Sequence, residues 1–98
     1  MKNKIEKIMQ EAILELNEQM DEEKKLSYDK ELRLIGKSAA VDSMEFVTLI
    51  SIIEECIADE LDIDIRIVSD RAFSKERSPF YSVSTLEDFI IELIEEEE

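Results

Sequence analysis

Three stretches of this chain repeat apolar residues at every third or fourth position, the spacing that lays one stripe along a helix. The first stripe is Ile5, Ile8, Met9, Ala12, Ile13 and Leu16, which predicts a helix over about residues 2–19. The second is Phe46, Leu49, Ile50, Ile53 and Ile57, on a helix from Asp42 to about Glu60, with Met44, Val47 and Ser51 on another flank. The third is Leu86, Phe89, Ile90, Leu93 and Ile94. Stripes of this kind must be buried against one another, so the expected fold is an all-α bundle of three main helices. A short fourth helix is expected at Ser69 to Phe73. The 98 residues suit a single domain, 1–98, ending in an acidic tail at 95–98.

Helix starts are legible from side chains that can accept the free backbone N–H groups of a first turn. Asp42, with Glu45 three residues on, forms the pattern of a capping box. For the last helix, Ser84 with Glu87 or Thr85 with Asp88 has the same spacing.

The connections are less regular. Residues 21–41 form a polar loop with apolar anchors at Leu26, Leu32, Leu34 and Ile35, and with the chain's only glycine, Gly36. Residues 61–68 alternate apolar and polar side chains as a strand would. With no partner strand, they are expected to run as an extended connection into the core. Residues 74–83 are polar but hold Pro79, Phe80 and Tyr81. Large aromatic side chains are seldom left fully exposed. This segment is therefore expected to fold back, with Phe73 and Phe80 packed between the second and last helices.

Charge narrows the function. The chain has 26 acidic and 12 basic residues, a net charge of -14. Such a field repels nucleic-acid phosphates and anionic lipid, and it favours partners with basic patches. Between Lys37 and Arg66 there is no basic residue, yet eight acids: Asp42, Glu45, Glu54, Glu55, Asp59, Glu60, Asp62 and Asp64. On so apolar a segment, this one-sided charge marks a docking surface. Histidine is absent and Cys56 is the one cysteine. No Ser-His or Cys-His pair is then possible, nor an internal disulfide or thiolate zinc site, and an enzyme is not expected. Cys56 reads as a buried structural thiol. No metal site is expected either: Asp62 and Asp64 lack the glycine and terminal glutamate of a calcium loop. No signal peptide or span of transmembrane length stands out, so a cytoplasmic monomer without membrane insertion is expected.

The order of elements resembles the acyl carrier protein family. The resemblance is carried by Val41-Asp42-Ser43-Met44, by Phe46-Val47-Thr48-Leu49-Ile50 and by Ile53-Glu54-Glu55, with Thr85 to Ile94 as the closing helix. It spans nearly the whole chain and is strongest from Gly36 to Ile57. Met44 replaces the family's usual Leu, Gly36 lies six residues before Asp42, and Thr48 and Ser51 depart from the common helix. These departures suit a specialised, stand-alone bacterial carrier.

The resemblance implies a small acyl-carrier-like bundle. It implies that Ser43 bears a covalent 4'-phosphopantetheine arm, flanked by Asp42 and Met44, on which acyl or aminoacyl groups ride as thioesters. It implies Glu45, Val47, Glu54 and Glu55 as docking residues. The expected partners are a phosphopantetheinyl transferase, a loading enzyme and a downstream acyl-using enzyme. The alternative is an unmodified acidic helical adaptor that binds a basic protein.

Overall fold

A computed structural model of the chain describes residues 2–20, 26–36, 39–69, 72 and 78–97, the side chain of Glu97 excepted. Helix α1 spans Lys2–Asn17, α2 spans Ser43–Leu61 and α3 spans Val83–Glu97; no strand occurs among the described residues. The expected all-α bundle is thus observed, with α1 packed against both α2 and α3. Ala72 is helical and its N–H donates to Ser69 O at 3.0 Å. Ser69 is described too, but Asp70, Arg71 and Phe73 lie outside the described residues. Within the acidic stretch at 95–98, α3 is helical through Glu97, and Glu95 and Glu96 are exposed.

The three stripes meet in one core. All six α1 stripe residues are buried, as are Leu49, Ile50, Ile53 and Ile57 of α2 and Leu86, Phe89, Ile90 and Ile94 of α3. Phe46 and Leu93 are only half-buried. Residues 62–66 run as an irregular connection, and Ile65 and Ile67 enter the core while Asp64 and Arg66 face out. The alternation therefore reports burial of one edge, with no strand formed. At the junction with α2, Asp62 takes a left-handed backbone, φ 55°, and donates to Ala58 O at 3.1 Å. Asp tolerates that conformation better than most side chains and so ends the helix.

The 26–36 segment is fastened at several places. Asn17, buried at the end of α1, exchanges two 2.7 Å hydrogen bonds with the backbone of Leu26. Leu34 N–H donates to Tyr81 O, Val83 N–H to Leu32 O and Ser84 N–H to Lys30 O. Leu34 is buried, but Ile35, an expected anchor, is 37% exposed. Gly36 has φ +93°, a conformation that side-chain-bearing residues rarely adopt, which is why glycine stands there.

The N-cap of α3 differs from expectation. Ser82 and Thr85 fill it: Ser82 N–H donates to Thr85 Oγ1 at 3.0 Å and Thr85 N–H to Ser82 Oγ at 3.4 Å. Ser84 and Thr85 both lie inside the helix. Glu87, expected as the capping-box partner of Ser84, is 2% exposed and does other work. Its Oε2 accepts from Tyr28 Oη at 2.7 Å, and its Oε1 lies 3.5 Å from Lys30 Nζ, which also pairs with Glu6. This cluster ties the 26–36 segment to α1 and α3.

Burial and the adjacent Glu87 carboxylate raise the Tyr28 phenol above its ordinary value of 10.0. The folded state thus favours the neutral phenol. The stability this contributes is complete below pH 10 and falls as pH rises past it. Tyr28→Phe is expected to cost about 1–3 kcal/mol at pH 7, because Glu87 Oε2 loses its donor while buried. It should also flatten the alkaline decline. Urea unfolding at pH 7 and pH 10.5 measures both effects.

Candidate functional site

Ser43 is the first residue of α2 and is exposed. What places it there is the capping box expected from Asp42 and Glu45. Glu45 N–H donates to Asp42 Oδ1 at 2.8 Å, and Asp42 N–H donates to Glu45 Oε1 at 2.9 Å. The box fixes the turn on both sides of Ser43 and leaves its hydroxyl facing out. The first N–H groups of a helix lack intrahelical acceptors and carry the positive end of its dipole, so negative charge is stabilised beside them.

Beside Ser43 lies an open groove of about 350 Å³. Leu34, Ile35, Gly36, Ala39 and Val41 line it together with Asp42, Ser43 and Phe46. Phe46 in turn meets Phe80 edge to face, with ring centroids 5.3 Å apart and planes at 77°. Phe80 is 7% exposed, so the segment before α3 does fold back on α2 there. Phe73 lies outside the described residues.

The surface around Ser43 is apolar and acidic together. Met44 is 79% exposed and Val47 61%. Leaving two such side chains in water is unfavourable, and side by side they form an apolar spot. Thr48 turns its hydroxyl back onto Met44 O at 2.8 Å, which keeps it from competing for external partners. Glu55 is exposed. Glu54 is half-buried and serves the fold: its Oε2 accepts the Ile67 N–H at 2.8 Å and draws the 62–67 connection onto α2. Glu45 is likewise half-buried and committed to the capping box. Of the three expected docking acids, Glu55 is the one that holds no structural hydrogen bond among the described residues.

Cys56, expected as a buried thiol, is half-buried. Burial, then Glu15, Glu60, Glu11 and Asp59, raise its thiol above the ordinary value. It is therefore a poor nucleophile. Among the described residues, no group of acids and Cys56 is arranged to hold a metal ion, and no helix is long and apolar enough to cross a membrane. Comparison with family models, with curated proteins and with solved structures returned no match.

Proposed function

We infer that the protein is a carrier of acyl or aminoacyl groups, held as thioesters on a 4'-phosphopantetheine arm at Ser43. The observation that carries this reading is a solvent-facing serine hydroxyl at the first turn of a capped helix, beside an open groove. Ser43 Oγ would displace the nucleotide part of coenzyme A and become the ester oxygen of a phosphodiester. The resulting phosphate anion would sit at the positive end of α2, where helix N-termini favour it. No local base is required of this chain, because the transferase supplies it. The arm's apolar and amide portions fit a groove walled by Ile35, Val41 and Phe46.

The test is intact mass after incubation with coenzyme A and a panel of phosphopantetheinyl transferases. One added arm, mapped to the fragment that contains Ser43, is the expected outcome. If no transferase modifies the protein, the acidic-adaptor reading replaces this one.

The acidic side of α2, with Met44 and Val47, is the face that would meet the transferase and the loading and acyl-using enzymes. Glu55→Lys is expected to slow modification about twofold to tenfold at low salt, and added salt should slow the wild type as well. Glu54→Lys should slow it too. That variant should also lose about 1–3 kcal/mol of stability, since the Ile67 N–H loses its acceptor. Modification rates indifferent to Glu55→Lys and to salt would remove Glu55 from the docking face.

A further inference from the structure

The 30–33 segment and the start of α3 enclose a second open groove, of about 940 Å³, which shares no lining residue with the groove beside Ser43. Its centre is Arg33. The guanidinium carbon lies 3.8 Å from the centroid of the Tyr81 ring, and Tyr81 is itself 46% exposed. The Arg33 backbone is held from two sides, by the Ala40 N–H on its carbonyl at 2.8 Å and by an antiparallel bridge to Ser82. Yet Arg33 Nε is buried with no acceptor among the described residues. A buried donor of this kind costs about 1–3 kcal/mol when left unsatisfied, and more when charged. Buried donors in native structures nearly always have a protein or water partner, so one without asks for an explanation.

Charge selects the occupant. Lys30 also lines this groove, but its ammonium is already engaged by Glu6 and Glu87. Within the groove, Arg33 remains as the cation without an ion-pair partner among the described residues, and Glu31 lines the same groove. One uncompensated guanidinium beside an existing carboxylate suits a single negative charge better than a dianion. A planar guanidinium edge also matches a planar carboxylate. A free small anion, however, would be repelled by a chain of net charge -14. The carboxylate must arrive on a body that this field attracts.

We propose that the Arg33–Tyr81 groove receives an acidic side chain presented by a protein partner whose surrounding surface is basic. The basic surround is drawn in by the chain's overall field. The acid then pairs with Arg33 in the groove and fixes the register of the complex, as opposed charges do at specific interfaces. Tyr and Arg are also the side chains most often found at the energetic centres of interfaces. The proposal holds for a modified or an unmodified Ser43.

The experiment uses the full chain and two lysine-rich peptides, one with a single central glutamate and the other with glutamine there. The glutamate peptide carries one positive charge fewer, which weakens its attraction to the acidic surface, so tighter binding by it reads the groove, whether or not Ser43 accepts an arm. The glutamate peptide is expected to bind about tenfold more tightly, a charge-assisted hydrogen bond. It should also shift the Arg33 Nε–H resonance in nitrogen-15 NMR spectra. Arg33→Lys and Arg33→Met should each erase the difference, and Glu31→Gln should widen it. Equal affinities, a discrimination that survives both Arg33 variants, or a wild-type Nε–H resonance that ignores the glutamate peptide would overturn the proposal.

Discussion

Ser43→Ala is expected to abolish arm attachment completely while leaving the fold intact. The loss is complete because, among the described residues, no second exposed hydroxyl is the first residue of a helix. Ser82 and Thr85 are held in the reciprocal cap of α3, and Thr48 is turned onto its own helix. Ser51 is exposed but sits in the middle of α2, without the free N–H groups of a helix start. Cys56 is half-buried with a raised thiol pKa. The fold is spared because the Ser43 side chain is exposed and Asp42 and Glu45, not Ser43, form the cap. Alanine is also a good helix former. Stability should stay within about 0.5 kcal/mol of wild type, as is usual for exposed sites without special interactions. Intact mass with and without transferase, beside a urea titration, measures both parts. An alanine variant that still gains the arm would move the attachment site elsewhere.

How much of this was legible in the sequence depended on how local the signal was. The three helices follow from stripes confined to single segments, and the Asp42–Glu45 box from two residues three apart. Other features join distant parts of the chain. The partner of Glu87 is Tyr28, 59 residues away, and nothing near Glu87 marks it as buried. An acid on a helix otherwise rich in Glu reads as solvated charge. Glu54 reads as a docking acid for the same reason, because its acceptor role for Ile67 appears only once the 62–67 connection lies on α2. The sequence offered Ser84 or Thr85 as the cap of α3 and missed Ser82. The choice fell on Ser82 because Val83 and Ser84 are fixed by hydrogen bonds from their N–H groups to Leu32 and Lys30, which sets where the helix starts. The Arg33–Tyr81 stack depends on that same pairing, since Arg33 lies opposite Ser82. A signal was present in retrospect: Leu32 and Leu34 alternate in a loop, the mark of a segment with one face inward.

Phe80→Ala should be the most destabilising single change in the connecting segments. Phe80 is 7% exposed and meets Phe46 edge to face. Truncating a buried phenylalanine typically costs about 3–5 kcal/mol, from lost transfer energy and the cavity left behind. A domain of this size has little to spare, since whole-protein stabilities run to only about 5–15 kcal/mol. The variant should therefore unfold at much lower urea and approach instability at 37 °C. The damage should also reach the proposed site. Phe46 lines the groove beside Ser43, and losing its aromatic neighbour leaves that wall free to shift. A double-mutant cycle with Phe46→Ala should return a coupling of about 0.5–1.5 kcal/mol, the usual worth of an aromatic pair beyond its buried area. Amide exchange provides the independent check. The Tyr81, Val83 and Ser84 N–H groups are bonded to Ser78, Leu32 and Lys30 carbonyls, so they should exchange slowly in the wild type and quickly in Phe80→Ala. A cost below about 1 kcal/mol, with unchanged exchange, would mean that the ring only grazes the bundle and that the segment before α3 is held by its backbone bonds alone.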